Sequence, residues 1–185
     1  MTDKPLDETS TLLTRKTVYD GRTIRLELER VALPGGHVTE LEIIHHPGAS
    51  CVVPFVTETD ILLIRQFRHA AGGFILEAPA GKLSGPDEKP EDCAARELEE
   101  ETGWRPGRLE YLGTILTTPG FTDEKIHLYS AHDLERGTQQ TEESEILTVK
   151  QVSLTEARAM IADGRITDAK TICALSMADA ARSKD

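Results

Sequence analysis

Across "IRLELERV", residues 24–31, apolar and charged side chains alternate. Period two puts one set of side chains on each face of a strand, so this segment predicts a sheet with one wet face. A second strand-like run precedes it and turns at Asp20-Gly21, and a third follows Pro34-Gly35-Gly36. "CVVPFVT" and "ILLIRQFR" are apolar almost throughout and predict two buried strands around the turn "ETD". "LEYLGTILTT" and "KIHLYSAHDL", separated by the loop "PGFTDE", predict two more, and "ILTVKQVSL" another. Three segments obey helical rules instead. Pro90 suits a first turn, Glu91 and Asp92 complement the positive end of a helix dipole, and Gly103 is a stop, which predicts a helix from Pro90 to Thr102. Ser153-Leu154-Thr155-Glu156 is a capping box that opens a helix stopped by Gly164, and Thr167 is expected to cap a last helix in "DAKTICALSMADAARS". The order strands, helix, strands, helix, helix predicts an α/β or α+β fold with a mixed sheet.

Composition narrows the setting. With 185 residues and 38% hydrophobic side chains, the chain suits one compact globular domain behind a short arm over residues 1–13. Its 21 Lys+Arg against 32 Asp+Glu give a net charge of -11, which repels phosphate backbones and anionic bilayers, so neither nucleic acid nor membrane is an expected partner. Cys51, Cys93 and Cys173 show no CxxC spacing, which argues against a disulfide framework or a zinc site. The opening "MTDKPLDETSTLLTRK" lacks a basic region followed by an apolar run, and a cytoplasmic location is expected.

The predicted middle helix changes the picture. Glu97 and Glu101 lie four residues apart and Glu97 and Glu100 three apart, so all three project from one face, where like charges repel. Cys93, Ala94 and Leu98 supply only a narrow packing stripe, and Arg96 to Glu100 is the obvious i,i+4 relief. A hard divalent cation such as Mg²⁺ or Mn²⁺ resolves the clash, because it takes carboxylate oxygens and keeps water positions open. Glu99 is expected to face water.

Gly81, Glu88, Arg96-Glu97-Leu98, Glu100-Glu101 and Gly103-Trp104 together resemble the signature of the Nudix hydrolase family. Residues 88–104 keep the family's spacing. Six residues, "KLSGPD", separate Gly81 from Glu88 where the usual pattern has five, a one-residue insertion in the loop. The resemblance implies an α/β/α sandwich with a mixed sheet, Mg²⁺ on the helix carboxylates with Mn²⁺ as a substitute, and cleavage of the diphosphate bond of a small nucleoside diphosphate derivative.

The surroundings, "LLIRQFRHAAGGFILEAPAGK", "TTPGFTDEKIHLYSA" and "RITDAKTICAL", are similar to the ADP-ribose pyrophosphatase branch, which has a proline 16 positions past the signature's last glycine, as Pro119 is past Gly103. This resemblance implies that the Ala80 carbonyl, Glu97 and Glu101 ligate metal, with Glu100 close to the chemistry and Glu145 an accessory ligand. It assigns Glu143 as the catalytic base, with Glu142 as the neighbouring register. Arg68, Gly81 and Glu124 are placed at the substrate, Arg68 gripping phosphate through its fork of donors and Glu124 at the terminal ribose. Glu77 is expected to brace the loop, and Trp104 to plug the core behind the helix stop. Residues 14–49 would form a small antiparallel β subdomain that joins two chains into a homodimer, and residues 50–185 the catalytic domain. The branch often sandwiches adenine between aromatic side chains near that interface; here Tyr19 is the only ring, and Ile24 stands where a Phe is common. The implied reaction is hydrolysis of ADP-ribose to AMP and ribose 5-phosphate. A nucleotide-sugar hydrolase acting on GDP-mannose is the alternative, and a module that binds ADP-ribose without cleaving it a third reading.

Overall fold

The computed structural model describes residues 9–141 and 145–182. The alternating N-terminal runs form an antiparallel sheet of β1 (Thr11–Asp20), β2 (Arg25–Ala32) and β3 (Val38–His45), with β2 in the middle. β1 opens inside the stretch expected to be an arm, because Thr11 and Leu12 pair with Ala32 and Val31. All of β1 is exposed, including Leu12, Leu13, Val18 and Tyr19.

The chain continues as β4 (Ala49–Pro54), β5 (Asp60–Arg68), a 3₁₀ turn at His69–Ala71, β6 (Gly73–Glu77), β7 (Ala80–Lys82) and α1 (Pro90–Thr102). Next come β8 (Trp104–Arg105), β9 (Arg108–Leu116), β10 (Lys125–His132), β11 (Glu135–Arg136), β12 (Leu147–Ser153), α2 (Leu154–Ala162) and α3 (Ala169–Arg182). The short strands β6, β7, β8 and β11 carry too few residues for a readable period. One sheet has the order β7-β4-β10-β9, with β4 parallel to β10 and antiparallel to β7. Another has the order β12-β5-β6, antiparallel throughout, and β8 pairs with β11. The β4-containing sheet is mixed, as the element order predicts.

β4 is apolar without alternation because both of its faces are covered. Val52 packs with Ala94 and Leu98 of α1 and with Tyr129 and Ala131 of β10. Cys51 and Val53 belong to the other core, with Leu63, Leu128, Met160, Ala174 and Leu175 from β5, β10, α2 and α3. The strands thus lie between α1 on one side and α2 and α3 on the other.

Local chemistry sets the helix ends. Gly103 takes the left-handed conformation at φ 72° and returns its N–H to the Glu99 carbonyl at 2.8 Å, closing α1 where the sequence predicts. Ser153 caps α2 by accepting the Glu156 N–H at 3.0 Å. The cap of α3 differs from expectation: Asp168, not Thr167, accepts the Thr171 N–H at 3.0 Å, because a capping side chain must reach the third N–H of its helix.

The chain divides into two compact units, one running up to Pro47 and taking in Leu116–Glu124, the other Gly48–Ile115 with the chain from Lys125 onward. Residues 116–124 join the first unit through backbone bonds from the Ile44 N–H to the Phe121 carbonyl (2.8 Å) and from the Asp123 N–H to the Ile44 carbonyl (3.2 Å). No helix among the described residues is long and apolar enough to cross a membrane.

Candidate active site

On α1 the signature carboxylates part company. Glu97 and Glu101 are 8% and 1% exposed, whereas the Glu100 side chain is 40% exposed. Arg96 gathers the others: its Nε donates to Glu88 Oε1 at 2.8 Å, and its Nη1 to Glu97 Oε1 at 2.5 Å and Glu100 Oε2 at 2.9 Å. Those bonds hold the Glu88 carboxyl below its usual range, while burial outweighs Arg96 at Glu97 and pushes that carboxyl up. Glu101 lies too far round the helix for Arg96. Burial lifts its carboxyl to about 8 against the Ala80 N–H and Arg68, with the charges of Glu97 and Glu145 adding to the rise. Glu99 does not simply face water, because it holds Arg105 Nη2 at 2.7 Å and the Thr138 N–H at 3.3 Å.

β7 meets this face. Bonds from the Val52 N–H to the Pro79 carbonyl (2.9 Å) and from the Leu83 N–H to the Gly48 carbonyl (3.0 Å) fix the alternation of the ladder. In that alternation the intervening Ala80, opposite Cys51, turns its own N–H and carbonyl away from β4. The outward N–H donates to Glu101 Oε2 at 2.9 Å, and the carbonyl opens on the same side. Gly81 is glycine for space: a Cβ there would collide with the Glu97 carboxylate. The inserted residue before Glu88 is absorbed in a turn in which the Ser84 N–H donates to Glu88 Oε2 at 2.6 Å and the Glu88 N–H to the Gly85 carbonyl at 3.3 Å.

Arg68 ends β5 beside this cluster. Its Nε and Nη2 grip Glu77 Oε1 and Oε2 at 3.0 and 2.8 Å, and Glu77 is 2% exposed. Lys170 Nζ reaches the same Glu77 Oε2 at 2.9 Å. Glu77 is thus held by Arg68 and by a lysine that sequence reasoning missed, because "DAKT" reads as an ordinary helix start.

The remaining candidates are spread. Glu143 and Glu142 lie outside the described residues. Glu145 is half-buried ahead of β12, and its charge bears on both Glu97 and Glu101. Glu124 belongs to the N-terminal unit, where its Oε1 stands 3.4 Å from His46 Nδ1. Trp104 is not the expected core plug: it is half-buried, with the Arg136 guanidinium 3.9 Å from its ring centroid.

The family model described as NUDIX domain matches residues 44–175, which spans α1, β7 and all the acids of the site. The chain belongs to the NUDIX family. Among this NUDIX chain's relatives, the ADP-ribose pyrophosphatase of Bacillus subtilis (strain 168) is 36% identical over 174 residues, covering 93% of this chain and 92% of that one. The methanol dehydrogenase activator of Bacillus methanolicus is 38% identical over 172 residues, covering 92% of each. A solved structure of an ADP compounds hydrolase superposes with a TM-score of 0.80 at 23% identity over 92% of each chain, which shows a shared fold.

The NUDIX helix fits a hard divalent cation by the chemistry of its donors. Two buried carboxylates short of partners face an outward main-chain carbonyl, with neither His nor Cys among them. A different acidic group, Glu27, Glu29 and His45, brings its donor atoms within 4.8 Å of one another in the N-terminal sheet. Those glutamates already have arginine partners. Arg15 meets Glu27 and Glu29 at 2.7 and 2.8 Å, Arg25 meets Glu27 at 2.9 Å, and Asp123 meets His45 at 2.6 Å.

Proposed function

We propose that this NUDIX chain hydrolyses the diphosphate bond of ADP-ribose to AMP and ribose 5-phosphate with Mg²⁺. The observation that carries the chemistry is the buried pair Glu97 and Glu101 set against the outward edge of Ala80. Similarity to the Bacillus subtilis ADP-ribose pyrophosphatase across nearly the whole of both chains supports the substrate. Glu97, Glu101, the Ala80 carbonyl and the accessory Glu145 would hold Mg²⁺. Bound there, Mg²⁺ neutralises the diphosphate and acidifies water, with Mn²⁺ as a substitute. Arg68, fixed on Glu77, presents its unused donors to a phosphate oxygen, and Glu124 meets the terminal ribose. Glu143 takes the proton from the attacking water, and Glu100, which shares Arg96 with Glu97, stands close to the chemistry. In-line attack at the adenosyl phosphorus then releases ribose 5-phosphate. The exposed apolar side chains of β1 support a homodimer through the N-terminal unit.

A panel of ADP-ribose and GDP-mannose with Mg²⁺ tests the substrate, and faster turnover of GDP-mannose would refute the choice. Hydrolysis in ¹⁸O-water tests the geometry: the label belongs in AMP, and label in ribose 5-phosphate contradicts attack at the adenosyl phosphorus.

A further inference from the structure

We propose that Lys170, with Asp168 at the start of α3, is a positioning residue for Arg68 and sets the site's affinity for the diphosphate group. This rests on the reading of Arg68 as a phosphate contact. A carboxylate as buried as Glu77 demands compensation, and it receives three N–H donors, two from Arg68 and one from Lys170. Lys170 Nζ also donates to Asp168 Oδ2 at 2.9 Å. Burial works against the Lys170 ammonium, but Glu77 and Asp168 outweigh it and hold its pKa above the ordinary value.

The geometry of the pair gives the consequence. Arg68 offers Glu77 the side of its guanidinium formed by Nε and Nη2, and its Nη1 makes no hydrogen bond among the described residues. Side-on pairing fixes the plane of the guanidinium, so the direction of the free end is set by where Glu77 lies. Glu77 in turn lies where Lys170 pulls it. Without Lys170, Arg68 would be the only cation on Glu77 among the described residues, which leaves the arginine's charge quenched one-to-one and its fork free to swing with the carboxylate. Asp168 makes the anchor rigid, because the same Oδ2 caps α3 and accepts the Thr171 hydroxyl at 2.6 Å, and Thr171 Oγ1 accepts the Ala78 N–H at 2.8 Å. The start of α3 is thereby tied to the segment running from Glu77 to Ala80. One helix end thus aligns both the arginine and the strand that opens toward Glu101.

The test is Lys170→Met in the full-length protein. Steady-state kinetics would use whichever of ADP-ribose or GDP-mannose the wild type turns over faster, and calorimetry would measure Mg²⁺-ADP binding. The wild-type preference tests the proposed function; the variant-to-wild-type ratio tests this inference, and the ADP titration reads it even without turnover. KM and the ADP Kd should rise about tenfold while kcat stays within about threefold. A Kd unchanged from the wild type, or a kcat that falls with KM unmoved, would overturn the inference. Lys170→Gln keeps a donor for Glu77 without the charge and serves if Lys170→Met does not fold. It should show a shift in the same direction of about threefold or more, and wild-type values for it would equally overturn the proposal.

Discussion

Glu101 is a carboxylate with almost no access to water, and its hydrogen bond comes from the single N–H of Ala80. Its folded pKa of about 8 lies well above the ordinary carboxylate value, so protonation stabilises the folded, metal-free protein. That stabilisation is complete below the unfolded pKa and is lost as pH rises through the folded one. In EDTA, the Tm should therefore fall between about pH 5 and about pH 9, the slope should shrink in Glu101→Gln, and added Mg²⁺ should raise the Tm more at the alkaline end. A wild-type profile as flat as that of the variant would refute the burial argument. Gly81 makes a second prediction at this scale. In Gly81→Ala the new methyl must displace the Glu97 carboxylate, so kcat/KM should drop at least about 100-fold, with Mg²⁺ affinity falling alongside and the circular dichroism spectrum retained.

Among the elements, α1 depends on one cation. Arg96 is bonded to Glu88, Glu97 and Glu100, and removing it leaves three neighbouring carboxylates without their shared donor. Arg96→Ala should lower stability in urea by about 1 to 3 kcal/mol, and saturating Mg²⁺ should recover part of the loss by replacing the missing charge. A variant as stable as wild type would show that the arginine is dispensable to the helix. Much of α1 was legible in sequence because its rules are local: Pro90, Gly103 and the spacing of the glutamates act within a turn or two. The ends of α2 were legible for the same reason. Lys170 was not, because its partner Glu77 is 93 residues away and no periodicity encodes that meeting. Trp104 and Glu99 misled for a related reason. A tryptophan after a helix stop reads as core, and a glutamate in an acidic run reads as solvated, until Arg136 and Arg105 arrive from elsewhere in the chain or the next turn.

At the scale of the molecule, the N-terminal sheet leaves Leu12, Leu13, Val18 and Tyr19 of its edge strand in water. An apolar edge of this kind invites a second copy. Sedimentation velocity should give twice the chain mass, and Leu13→Asp with Val18→Asp should halve it; a monomeric wild type would end the dimer proposal. The pairing of the strands has another consequence, which concerns how the protein is made. β4 takes its parallel neighbour from β10, and β5 takes one of its neighbours from β12. A growing chain therefore delivers its two most apolar strands long before it delivers the strands that cover them. Until the segment after Lys125 emerges from the ribosome, those strands remain open to wrong partners, and release of an unfinished chain would favour aggregation over a smaller folded product.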